Sequence, residues 1–75
     1  MKFLEAIEEL KKARAEGREL SFECGAHWMV GVNEFFFWWE YVCCESDECP
    51  FGEFEEYETA AALVADKRDF DGDWR

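Results

Sequence analysis

No lysine or arginine occurs between Glu19 and Asp66. Twelve carboxylates fall in that span, with Glu19 and Asp66 included. All eight basic residues are confined to the first eighteen positions and the last nine, and the formal net charge is −11. A middle segment without cations repels nucleic acid and anionic membrane and attracts basic surfaces, and its acidity also keeps an aromatic-rich chain in solution. Long apolar runs are missing too. None approaches the roughly 20 residues needed to span a bilayer, and an amphipathic pattern follows Met1-Lys2 where an apolar leader would stand. The expectation is a soluble, cytoplasmic protein. There is no glycine-rich phosphate loop and no serine nucleophile elbow, and 75 residues leave little room for a cleft and its walls. A non-enzymatic role, with no catalytic residues, is therefore expected.

What is abundant is aromatic surface. The stretch Phe35-Phe36-Phe37-Trp38-Trp39-Glu40-Tyr41-Val42-Cys43 holds six aromatics in nine residues. Flat and branched side chains suit a pleated surface, so the stretch reads as a strand. Alternation places Phe35, Phe37, Trp39, Tyr41 and Cys43 on one face and Phe36, Trp38, Glu40 and Val42 on the other. Both faces are apolar. A domain this small has one core to cover one of them, so the other must meet another segment, a second copy or a partner.

Taken in order, residues 1–75 read as a single α+β domain. Phe3, Leu4, Ile7, Leu10 and Ala13 form one apolar stripe at helical spacing, which predicts a helix over 2–16 that stops at Gly17. Strands are expected at 19–24, 27–32 and 35–43, joined as a three-stranded antiparallel meander, with Asn33-Glu34 as a two-residue link. Residues 44–52 read as a loop punctuated by Pro50 and Gly52. From 53 onward two readings compete. Phe54, Tyr57, Ala61 and Val64 keep helical spacing, so a single helix over 53–68 is one. The other, preferred because like charges crowd 53–58, is an extended stretch followed by a helix over about 59–68 that Thr59 caps. In the tail, 69–75, Phe70 and Trp74 are expected to anchor on the body.

The four cysteines suggest a metal site. Cys24-Gly25-Ala26-His27 pairs a thiol with an imidazole, and Cys44 and Cys49 make a second close pair. Zinc takes four such ligands from two chain segments, so Cys24, His27, Cys44 and Cys49 are candidate ligands. A Cys44–Cys49 disulfide and buried free thiols are the other readings.

Binding is the stronger theme. Glu45, Asp47, Glu48, Glu53, Glu55, Glu56 and Glu58 follow directly on the aromatic strand. Aromatic anchors with charges for steering are the makings of an interface, and Trp28, Phe36 and Trp38 are expected to supply the apolar contact. The expected partner is a protein with a basic surface built to hold nucleic acid, with no direct contact to nucleic acid or membrane. A homodimer through the aromatic strand is the competing arrangement.

The opening Phe3-Leu4-Glu5-Ala6-Ile7-Glu8-Glu9-Leu10, the following Gly17-Arg18-Glu19-Leu20 and the closing Asp73-Trp74 resemble the phage anti-Thoeris sponge family. The basic, tryptophan-bearing stretch that follows the glycine in that family is replaced here by Ser21-Phe22-Glu23-Cys24, so no nucleotide site is carried over. In size and charge the chain is also similar to phage anti-CRISPR and other anti-defence inhibitors. That resemblance implies a viral inhibitor that mimics DNA and blocks the nucleic-acid-binding surface of a host defence complex. A small zinc-stabilised, self-associating domain is the alternative.

Overall fold

The computed structural model describes residues 1–25, 27–42, 52–70 and 72–75. Helix α1 (Phe3–Ala15) leads into strands β1 (Leu20–Cys24), β2 (Trp28–Val32), β3 (Phe37–Val42) and β4 (Gly52–Tyr57), and helix α2 (Ala60–Lys67) follows. The strands form one antiparallel sheet in the order β1-β2-β3-β4. The α+β class is as expected, but the sheet has four strands where three were predicted. The added strand is the extended, acid-rich stretch after Gly52, which pairs along the whole of β3. Its charges are tolerable because Glu53 and Glu56 are exposed at a sheet edge and Glu55 pairs with Lys67.

Helix α1 forms because its apolar residues recur on one side. Phe3, Ala6, Ile7, Leu10 and Ala13 are all buried, while Leu4 is exposed. It stops at Gly17, whose φ of 71° is the left-handed conformation a glycine adopts without penalty. There the Arg18 N–H donates to Ala13 O at 2.8 Å and the Gly17 N–H to Arg14 O at 3.2 Å, which satisfies carbonyls the helix leaves open. Helix α2 starts at Thr59, whose Oγ1 accepts from the Ala62 N–H at 3.1 Å.

Both helices lie on one face of the sheet. Helix α1 packs on β1 and β2, α2 packs on β3 and β4, and the helices touch each other. Between the layers sit Val30, Val32, Phe37 and Trp39 from the strands, Leu63 from α2 and Trp74 from the tail. No polar or charged residue is buried among the described residues. Phe70 is half-buried and packs edge-on against Trp39 and Trp28. The tail then pairs with the β1 edge, where Glu23 and Arg75 exchange both backbone hydrogen bonds at 2.8 Å.

The link between β2 and β3 is longer than the two residues predicted. Strand β2 ends at Val32 and β3 begins at Phe37, so Phe35 and Phe36 belong to the turn. A two-residue hairpin turn of this hand needs positive φ, and no non-glycine residue among those described adopts it. Asn33 builds a wider turn instead: its Oδ1 accepts from the Phe35 N–H at 2.8 Å and the Phe36 N–H at 2.9 Å. Cys43, expected at the end of β3, lies outside the described residues. Among the described residues no helix is long and apolar enough to cross a membrane.

Candidate binding surface

The register sorts every strand residue onto one of two faces. Leu20, Val32, Phe37 and Tyr57 form one cross-strand row, and Phe22, Val30, Trp39 and Glu55 form the next. Cys24, Trp28, Tyr41 and Glu53 complete that side, which the helices cover. The opposite face carries Ser21, Gly31, Trp38 and Glu56 in one row and Glu23, Met29, Glu40 and Phe54 in the next. No helix covers it.

This open face has an aromatic floor. The Trp38 indole takes the space a side chain at Gly31 would need: a Cβ there would lie 2.3 Å from Trp38 Cζ2. Phe54 stacks beside it with ring centres 5.8 Å apart and planes 24° apart. Phe36 meets Phe54 edge-on at 6.1 Å. Phe54 is nevertheless 52% exposed, a large area of ring left to water. At one end Trp38 borders a shallow depression also lined by Glu19, Leu20, Ser21, Val32 and Asn33.

The predicted binding residues are divided by this geometry. Phe36, Trp38 and Glu56 share the open face. Trp28 does not: it lies under the helices, 4.4 Å from Tyr41 and 5.6 Å from Trp39 between ring centres. In His-Trp-Met-Val-Gly-Val the one polar residue, His27, stands before the strand proper, and within Trp28–Val32 the side is revealed by pairing with β3. Glu53 and Glu55 also point to the helix side of β4, and Glu58 follows the strand as an exposed residue. Glu45, Asp47 and Glu48 lie outside the described residues. Met29, Phe54, Glu23 and Glu40 are face residues the sequence reading passed over. The signal for Glu40 was present, a single charge at the Trp38 phase of the aromatic strand.

Glu55, partly exposed, is committed to partners within the molecule. Its carboxylate meets the Lys67 ammonium at 2.7 Å and accepts from the Tyr57 hydroxyl at 2.7 Å. The Lys67 bond first, and the Tyr57 bond second, hold its carboxyl below the usual range against the opposing effect of burial. The same Tyr57 hydroxyl also donates to Asp66, and with one proton it serves one carboxylate at a time. Burial, then the bonds to Asp66 and Glu55, push the Tyr57 hydroxyl far above its ordinary value. Lys67 sits over the Trp39 ring at 5.4 Å, so this cluster fastens α2 to the sheet.

Of the candidate zinc ligands, Cys24 and His27 flank the β1–β2 turn, where Gly25 has φ 63°. Trp28 pairs with Tyr41, so β3 ends at Val42 on that side of the sheet. Cys24 is a free, half-buried thiol, and the His27 ring is 6.1 Å from that of Tyr41. Cys44 and Cys49 lie outside the described residues. Among those described, no three His, Cys, Asp or Glu side chains gather as a metal would require. No family model, curated protein or solved structure matches this chain.

Proposed function

We propose that this protein is a non-enzymatic acidic binding protein that docks its open sheet face on a basic, nucleic-acid-binding surface of another protein. The single observation carrying this reading is the floor of Trp38, Phe54, Phe36 and Met29, which no described helix covers, with Glu23, Glu40 and Glu56 interleaved. Apolar rings supply contact area, and the carboxylates steer a cationic partner and reject anionic ones. A protein that carries many carboxylates and no cation from Glu19 to Asp66 competes with the phosphates such a surface is built to hold. By its likeness in size and charge to anti-defence inhibitors, the reading extends to a phage or mobile-element product acting in the host cytoplasm against a defence complex of the CRISPR type. Purified nucleases and CRISPR effectors, titrated with this protein and with labelled nucleic acid, test it. Mutual displacement that weakens with salt is the expected result. Formation of a ternary complex with nucleic acid, or no binding to any of them, would overturn it.

A second reading draws on the shared location of Cys24, His27 and the end of β3. In it, Cys24, His27, Cys44 and Cys49 hold zinc, and the domain serves self-association or scaffolding. Metal content and a melt in the presence of chelator decide it: stoichiometric zinc and a collapse in stability support the reading.

A further inference from the structure

The open face has a floor and a rim, and both ask for the same chemistry. The floor is built of flat rings, because Trp38 lies against Gly31 and Phe54 stacks beside it with its plane 24° from parallel. The rim carries carboxylate, with Glu56 opposite Trp38 on the edge strand β4, and a further carboxylate, Glu40, stands within the floor between Met29 and Phe54. Glu23, opposite Met29, closes the β1 side. Among the described residues, none of these three carboxylates has a cation in ion-pair contact. The chain supplies no lysine or arginine from the strands themselves.

A planar cation satisfies both parts at once. A guanidinium stacks its plane on an aromatic ring and presents N–H groups at its edge to carboxylates. An ammonium is drawn to the same rings as a compact, strongly hydrated point charge without the plane. We infer that the open face binds arginine side chains of its partner, stacked on Trp38 and Phe54 and hydrogen-bonded at their edges to Glu40 and Glu56. This rests on the function proposed above and narrows the basic surface to an arginine-bearing one. A second copy is the wrong occupant, because it would set one carboxylate rim against another. Nucleic-acid bases also stack on aromatic rings, but their phosphates would meet the same rim.

The test uses the full chain and two peptides of equal length and charge, one with arginine and one with lysine as its only cation. Isothermal titration at moderate salt is expected to show the arginine peptide binding about fivefold or more tightly. Trp38→Leu should bring the arginine peptide down to the lysine peptide's affinity, and Glu40→Gln with Glu56→Gln should weaken both. Circular dichroism melts check folding. Phe54→Leu, at a more exposed position, supplies the same comparison should Trp38→Leu unfold. Equal affinity for the two peptides would overturn the arginine assignment and leave the wider reading of a basic partner standing. Failure of both peptides to bind would overturn the two together. Preferential binding of an oligothymidylate, or a dimer that Trp38→Leu dissociates, would overturn the inference in favour of the other occupants.

Discussion

Met1 and Trp74, at opposite ends of the chain, exchange two hydrogen bonds. The Met1 amino group donates to Trp74 O at 3.0 Å, and the Trp74 N–H donates to Met1 O at 2.7 Å. This places the Trp74 ring, 1% exposed, against Phe3, Trp39 and Phe70. The tail therefore completes the core. Trp74→Ala removes a whole buried indole and is expected to cost about 3–5 kcal/mol. Trp74→Phe should cost much less, because the indole N–H is buried without a hydrogen-bond partner and its loss strands nothing. Urea unfolding of the two variants measures both. Similar losses for Ala and Phe would mean that the ring's shape, and not its area, holds the tail.

Asn33 organises the turn that the aromatic run enters. Its side-chain oxygen accepts from two successive backbone N–H groups, and its own carbonyl accepts from Arg14 Nη1 at 2.6 Å, which ties the turn to α1. Asn33→Ala leaves both N–H groups to water and is expected to cost about 1 kcal/mol. Asn33→Asp keeps an acceptor in the same place and should fall within a few tenths of the parent, with Glu34 nearby as a mild penalty. Chemical denaturation of the pair separates the role of the acceptor from that of side-chain size.

The elements most legible in the sequence were those whose signals are local. The α1 stripe needs only 3.6-residue periodicity, its stop needs Gly17, and the start of α2 needs Thr59. What escaped depends on partners far apart in the chain. The stretch Glu53-Phe54-Glu55-Glu56-Tyr57 reads as extended because its like charges disfavour a helix, but that it is a fourth strand follows only from its pairing with β3 and from Lys67, ten or more residues on, which neutralises Glu55. The side on which Trp28 lies is likewise set by its register with Tyr41 and not by its neighbours. The candidate site was half legible for the same reason. Trp38 and Glu56 could be chosen by residue type, but their meeting across two strands, with Phe54 stacked alongside, is a matter of register.

The Lys67 cluster makes stability depend on pH at both ends. Glu55 is held below its ordinary value of 4.5, chiefly by the hydrogen bond to Lys67. A depressed carboxyl contributes stability that is present above pH 4.5 and lost as pH falls through its folded value. Glu55 is partly exposed, so solvent screening keeps the effect modest. Tyr57 is raised above its ordinary value of 10.0, chiefly by burial, so its contribution is full below pH 10 and declines at higher pH. Melting temperatures from pH 3 to 11 check both limbs. Lys67→Met is expected to flatten the acid limb and lower stability at neutral pH, since it also removes the cation over Trp39. Tyr57→Phe should flatten the alkaline limb.

Gly31 is the position at which stability and the open face can be tested together. It sits in β2 between Ser21 and Trp38, and a Cβ there would stand 2.3 Å from Trp38 Cζ2 and 2.5 Å from Cε2. No side-chain carbon is tolerated at that range, so in Gly31→Ala the indole must move. It borders solvent, which lets it swing outward without disturbing the core on the other side of the sheet. The expected cost is about 1–3 kcal/mol, the range for overpacking. A smaller gain of about 0.4–1 kcal/mol from restricting the unfolded chain opposes it. The more telling change is local. Moving Trp38 parts it from Phe54, so near-ultraviolet circular dichroism should lose the signal of stacked rings, and the preference for an arginine peptide should fall with it. Gly31→Ser predicts the same outcome, since any Cβ meets the indole. Retention of both the signal and the preference in either variant would mean that Trp38 does not rest on Gly31, and the ring floor of the open face would lose its support.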